Sequence, residues 1–325
     1  MVDLPRFRLF DEPSPLHRLP RFSAALGDRA DVWIKREDLL PLAFGGNKRR
    51  NLEFLVGAAL ADGADTLVTS GRRWSNHCRL TAAAGAVAGL DVHLVLSGPP
   101  APDPASPGPG RRSMEILGAT VHQLPTAARE EREAVVARVV AELRAAGRRP
   151  SVIGVGGSGP VGAWGQVLAA TELFAQAEAR DLAVDAIVLP SATGGTQAGL
   201  VVGAALHSPT TRVMGVVVAR PAGELRPAIA AMVVTLSTWT GTAVAADAVH
   251  LDETRLGDGY GRPTPDARDA TRLLARSEGI LVDPIYTAKA LAGLIAEVRA
   301  GHLDGQAVVF WHAGGVPGLF ESLDD

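Results

Sequence analysis

Cysteine is almost missing from this chain. Of 325 residues only Cys78 is one, so no disulfide can close within the chain, and no Cys/His cluster has zinc spacing. A structural metal is not expected. Charge of one sign is also missing: 32 Lys and Arg face 35 Asp and Glu, a formal net charge of -3, too weak a field to attract nucleic acid. Nowhere is there a run of about 18 apolar residues that would span a bilayer. Met1 to Arg21 mixes charges and prolines around no apolar segment, so no signal peptide is expected and a cytoplasmic protein is. Tyrosine is scarce too, with two in the chain, Tyr260 and Tyr286, each beside a turn.

What is present is a chain that is 47% hydrophobic and long enough for one large domain or two interlocked ones. Apolar strand-like runs alternate with helical periods from Val32 onward: Val32–Glu37, Thr66–Thr69, Val92–Leu96, Thr120–Leu124, Ala186–Pro190, Arg212–Val218 and Ala307–Trp311 are each followed by a turn and a helix. The exception is the last. Such alternation predicts an α/β fold of open, mostly parallel, twisted sheets flanked by helices, with ligands beyond the carboxyl ends of the strands. Pro99 to Gly110, rich in Pro, Gly and Ala, reads as a surface loop.

The chain is organised around Gly45-Gly46-Asn47-Lys48-Arg49-Arg50. The helix that follows carries Leu52, Leu55, Val56, Ala59 and Leu60 at helical spacing, which places Lys48 on the face that must be buried. A buried ammonium loses its charge more readily, and the neutral amine is the form that Schiff-base chemistry needs. The other reading is a lysine that snorkels to water.

Three strand-to-helix turns are richer in glycine and hydroxyls than a connection requires. Ser191-Ala192-Thr193-Gly194-Gly195-Thr196-Gln197 opens a helix whose first N–H groups can converge on a phosphate; it is neither a Walker loop nor a dinucleotide fingerprint. A tight turn with a threonine cap explains it as well. Ser75-Asn76-His77 opens another helix, either as ordinary capping residues or as a clamp for a carboxylate. His312-Ala313-Gly314-Gly315 follows the final strand, and Thr287 either caps a helix or points at a ligand.

Taken in order, Lys35-Arg36-Glu37-Asp38-Leu39, Gly45–Arg49, Ser75-Asn76-His77, Thr193–Gly199, Gly259-Tyr260-Gly261, Glu278–Leu281 with Asp283–Thr287, and His312–Gly315 resemble the pyridoxal-phosphate enzymes of fold type II, similar to the tryptophan synthase β architecture. Within that group they resemble the D-cysteine desulfhydrase and 1-aminocyclopropane-1-carboxylate deaminase family. The resemblance implies that Lys48 binds pyridoxal 5'-phosphate as a Schiff base and then moves protons at the substrate carbons. It makes Asn47, Asn76, Thr193, Gly194, Gly195, Thr196 and Thr287 cofactor contacts. It gives Ser75, Tyr260 and Tyr286 catalytic positions, and sets Ser75, Asn76, His77, Trp74, Arg73 and both tyrosines around the substrate. The deaminase branch carries a glutamate where Thr287 stands; a hydroxyl holds the pyridine nitrogen protonated less well, which suits elimination better than ring opening.

The implied domains are a large one from residues 1–51 and 158–325 and a small one from 52–157, in a homodimer. The implied activity is β-elimination from a small amino acid to a 2-oxo acid and ammonia. Two departures leave other outcomes open. Arg72, Arg73 and Trp74 stand where the family has a small residue, an apolar residue and glutamine, and Ala313 stands where the desulfhydrases have threonine. If these arginines line the pocket, they could take a second anionic group on a different amino acid; if not, they point to solvent. β-Replacement and a non-catalytic amino-acid or cofactor binder are the alternative functions.

Overall fold

The protein is described here from a computed structural model covering residues 2–98 and 108–321. The chain opens with β1 (Leu16–Arg18), α1 (Pro20–Ala25) and β2 (Asp31–Arg36), then α2 (Lys48–Ala61). Next come β3 (Thr66–Gly71), α3 (Asn76–Ala88), β4 (Asp91–Ser97), α4 (Pro109–Ile116), β5 (Thr120–Leu124), α5 (Arg129–Ala145) and β6 (Pro150–Val152). The rest is α6 (Pro160–Glu178), β7 (Ala186–Ser191), α7 (Gly195–His207), β8 (Arg212–Val217), α8 (Ala222–Thr240), β9 (His250–Asp252), α9 (Pro265–Glu278), α10 (Thr287–Ala300) and β10 (Ala307–His312).

Two sheets result. One has six strands in the order β1-β2-β10-β7-β8-β9, the other four in the order β5-β4-β3-β6. Every pairing is parallel except β1 with β2. The fold is thus α/β with two mostly parallel sheets flanked by helices, as the strand-helix alternation predicts.

The period of two along each strand divides the cores. On β7, Ile187 and Leu189 face the cluster under α6, α7 and α8, whereas Ala186 and Val188 face α1, α9 and α10. On β10, Val309 and Trp311 take the first side and Val308 and Phe310 the second. In the smaller sheet Leu67, Leu94 and Leu96 pack toward α2 and α3, and Val68 and Val95 toward α5. Burial on both faces is why these strands read as continuous apolar runs.

Several expectations need correction. β1, α1 and β9 carry no pattern of their own, because three-residue strands and a two-turn helix are too short to show one. The loop expected over Pro99–Gly110 lies mostly outside the described residues, and its last two residues already belong to α4, where Pro109 takes the first turn. Leu60, counted with the buried face of α2, is 36% exposed.

Candidate active site

The carboxyl ends of β3, β7 and β10, one from the small sheet and two from the large, open onto one cavity of about 750 Å³. Its wall includes Asn47, Lys48, Arg72, Ser75, Asn76, His77, Ser158, Thr193, Gly194, Thr196, Tyr260, Tyr286 and Gly314. Residues distant in sequence meet here because parallel strands all end on the same side.

Lys48 is the first residue of α2 and its side chain faces the cavity. The preceding residue is tied on three sides: Asn47 Nδ2 donates to Thr196 Oγ1 at 2.8 Å, its N–H to the Ala313 carbonyl at 3.0 Å, and its own carbonyl accepts from Gln166 Nε2 at 2.9 Å. These bonds fix where the amine starts. The protein packed around the Lys48 amine pushes its pKa from 10.5 down to about 8 by desolvation alone. Among the described residues the amine has neither a hydrogen bond nor an ion pair. Partly exposed, the side chain opens onto the cavity.

One end of the cavity is built on α7. Gly194 caps the helix in the left-handed region at φ 87°, where an added Cβ would lie 2.5 Å from Ile229 Cγ1. The N–H groups of the first turn have no partner inside the helix, as at any helix start. Thr193 Oγ1 and Ser158 Oγ meet at 2.5 Å, and Arg220 Nε donates to the Ala192 carbonyl at 3.4 Å. Gly195 lies behind the wall, against Ser158. Sequence reasoning misses Ser158 and Arg220; the glycines at 154, 156, 157 and 159 are the only signal for the first, and none points to the second.

The other end is built on α3. Ser75 Oγ caps the helix by accepting from the Cys78 N–H at 3.2 Å and keeps its own proton to donate. Buried Arg79 donates to Asn76 Oδ1 at 3.0 Å, which fixes the amide with Nδ2 toward Gly315. Gly315 has φ 98°, and a Cβ there would lie 2.6 Å from Asp283 Oδ1 and 2.9 Å from Asn76 Nδ2. Tyr260 and Tyr286 touch through their hydroxyls, Trp74 meets Tyr260 edge-on at 6.2 Å, and burial raises the pKa of both phenols. His77, 3% exposed, contacts Thr69, and burial with the nearby Lys48 charge pushes it down to about 3. A neutral imidazole carries one N–H, and it goes to Thr69, so the free nitrogen is an acceptor. The expected contact of His77 with a carboxylate is corrected accordingly.

Two further expectations are corrected. Arg73 is turned away from the cavity, ion-paired with Glu321 and stacked on Trp74 at 4.9 Å, and Trp74 supports Tyr260 from behind rather than lining the wall. Thr287 does not reach the wall either: its hydroxyl donates to Asp283 Oδ1 at 2.5 Å and accepts from the Asp283 N–H at 3.0 Å, closing the start of α10.

A cavity with an unpartnered amine and a helix start at one end is built for a carbonyl compound bearing a phosphate. Residues 8–314 match the model of the family described as pyridoxal-phosphate dependent enzyme. The chain belongs to that family. It is 38% identical to a D-cysteine desulfhydrase of Salmonella typhi over 324 residues, 98% of this chain and 97% of that one. A solved structure of an ACC deaminase homologue is 33% identical, superposes with a TM-score of 0.89 and covers 98% of this chain and 94% of its own. A threonine deaminase from Solanum lycopersicum, 18% identical with a TM-score of 0.62 and covering 93% of this chain and 79% of its own, shares the fold. This pyridoxal-phosphate dependent enzyme is of the lyase or deaminase kind.

The residues present fit the cofactor. Lys48 would supply the amine, the Gly194–Gln197 turn would supply phosphate donors, and Asn76 would offer an N–H beside Gly315. Among the described residues no group of His, Cys, Asp and Glu could hold a metal ion, and no helix is long and apolar enough to cross a membrane.

Proposed function

We propose that the enzyme removes the amino group and a β-substituent from a small amino acid, releasing a 2-oxo acid and ammonia, with D-cysteine as the nearest model substrate. The observation that carries this reading is Lys48: an amine without a partner, desolvated to about 8, between a phosphate-binding turn and a pair of tyrosines. When bound, pyridoxal 5'-phosphate supplies an aldehyde for the amine and an electron-withdrawing ring for the bonds at the substrate's α carbon. Lys48 takes the proton from that carbon. Ser75 Oγ and the N–H groups opening α3 hold the α-carboxylate, Gly194 and Thr196 hold the phosphate, and Thr193 and Asn47 fix the two turns. Asn76 orients the ring through its Nδ2. The hydroxyls of Tyr260 and Tyr286 face the departing group, and their raised pKa values keep them protonated and able to give it a proton.

This reading includes a large domain of residues 1–51 and 158–325 and a small one of 52–157. Its support is that the six-stranded sheet draws only on the former and the four-stranded sheet only on the latter. It also includes a homodimer in the cytoplasm, as the resemblance implies, and light scattering tests the dimer.

The test is an amino-acid panel scored for 2-oxo acid, ammonia and sulfide, with Lys48→Ala beside the parent. Release of 2-oxo acid from D-cysteine by the parent alone is expected. A variant as active as the parent, or no 2-oxo acid from any amino acid, would refute it.

A further inference from the structure

Among the described residues, Lys48, Arg72, Arg129, Arg132 and Arg220 line the cavity against two carboxylates, Glu133 and Glu224. Three of the five cations are accounted for. Lys48 is the reactive amine, Arg220 sits at the phosphate end, and Arg129 pairs with Glu133 at 2.7 Å on the exposed rim. Arg72 and Arg132 are left.

Arg72 stands at the end of β3 and gives one N–H to the Ser97 carbonyl at 3.2 Å, with its guanidinium carbon 6.0 Å from the Tyr260 ring centre. Arg132, one turn into α5, has its Nε buried without an acceptor, and neither arginine has a carboxylate within ion-pair distance among the described residues. They are close enough to repel: burial lowers the pKa of Arg132, Glu133 on the same helix offsets part of this, and Arg72 and Arg129 lower it again. Two like charges held together and partly out of water are costly unless an anion comes between them. The α-carboxylate does not fill this place, since the start of α3 already serves it, and the cofactor phosphate belongs to the start of α7.

We propose that Arg72 and Arg132 form a second anion subsite beside Tyr260, so that the preferred substrate is an amino acid whose β-substituent is itself charged and leaves as an anion with the electron pair of its bond to the β carbon, such as a sulfonate departing as sulfite. The inference deepens the amino-acid lyase reading above and rests on it. A planar guanidinium presents paired N–H donors to two oxygens of such a group, and two arginines provide more donors than a neutral thiol or hydroxyl can use. The side chain so held lies toward Tyr260, where the departing group receives its proton.

Aspartate, whose β-carboxylate can bind but cannot leave, and 3-sulfoalanine, whose sulfonate can leave as sulfite, are the probes in both configurations, with alanine and serine as neutral controls. Each is titrated into holoenzyme while the cofactor's visible absorption is followed, and 2-oxo acid is scored in parallel. The parent is expected to bind one acidic probe about tenfold or more tighter than alanine of the same configuration, a preference that shrinks as salt rises. In Arg72→Gln and Arg132→Gln the acidic-to-neutral ratio falls about tenfold, and Arg72→Lys restores part of it. The parent's ratio and its salt dependence need no variant, so misfolding of either leaves the test intact. Equal binding of acidic and neutral probes by the parent, or a ratio unchanged in both variants, overturns the subsite while turnover of neutral amino acids keeps the lyase reading standing. No spectral response and no 2-oxo acid with any probe overturns both.

Discussion

Thr69 determines which nitrogen of His77 carries the proton. The threonine has one hydroxyl proton and gives it to the Ile153 carbonyl at 2.8 Å, so in the 2.9 Å contact with His77 Nε2 the imidazole must donate. Nδ1 is then a lone pair near Gly157, buried and without a partner among the described residues. Thr69→Val removes the acceptor and leaves a buried N–H unpaired. A loss of about 1 to 3 kcal/mol in stability is expected, together with a fall in kcat that Thr69→Ser reverses. Thermal denaturation and steady-state kinetics check it, and a valine variant indistinguishable from the parent would contradict the assignment.

The amine of Lys48 has a pH signature. Its pKa is about 8 in the fold and 10.5 ordinarily, so below about pH 8 the cofactor-free protein carries an unpaired ammonium in the cavity. Between those values the unfolded chain binds a proton that the folded one does not, and stability from this group rises with pH across that window. Lys48→Met should therefore raise the Tm of the cofactor-free protein at about pH 7, and by less at about pH 10. The rate at which the parent captures pyridoxal 5'-phosphate should climb with pH and level off above about 8. A flat capture profile would show that the amine is not desolvated.

Behind Lys48, Arg50 grips Glu37 through both guanidinium arms, at 2.5 and 2.8 Å, and also donates to Glu172 at 2.9 Å, with Lys35 held to the same Glu172 at 2.5 Å. Glu37, Lys35 and Arg50 are buried. Glu37→Gln leaves both cations short of counter-charge and is expected to cost on the order of 3 to 5 kcal/mol. Urea denaturation measures it. A cost under about 1 kcal/mol would place the network in the class of surface pairs.

Gly194 and Gly315 admit no side chain. Both have left-handed φ, 87° and 98°, and a Cβ would meet Ile229 or Asp283 within 2.6 Å. Gly194→Ala is expected to weaken cofactor affinity about tenfold or more by tilting the first turn of α7, and Gly315→Ala to do so by pushing on Asp283 and Asn76. Equilibrium titration of cofactor-free protein reads both, against Gly118→Ala, where a Cβ meets nothing within 4 Å, as the control for strain alone.

Much of this molecule is legible in order along the chain. The helix from Lys48, the strand Ala186–Ser191 and its glycine-rich turn each show a local period and a local breaker, which is what sequence patterns report. Arg72 and Arg73 are indistinguishable in such a pattern. Adjacent residues at a strand end point to opposite sides, and which side holds the cavity depends on Glu321, 248 positions away, pairing with Arg73. Thr287 escapes a linear reading for a similar reason: Asp283, one turn earlier, takes its hydroxyl.

The sequence by itself determined the alternation of strands and helices, the position of the one lysine that starts a buried helix face, and the turns able to hold a phosphate. These are decided by side-chain period, backbone freedom at glycine and capping chemistry within a few residues. Only the tertiary structure decided that Arg132 joins Arg72 at one wall, that His77 gives its proton to Thr69, and that the Lys48 amine has no partner among the described residues. Each depends on what neighbours from other strands and helices leave for a polar group to bond, and a linear pattern carries no record of that.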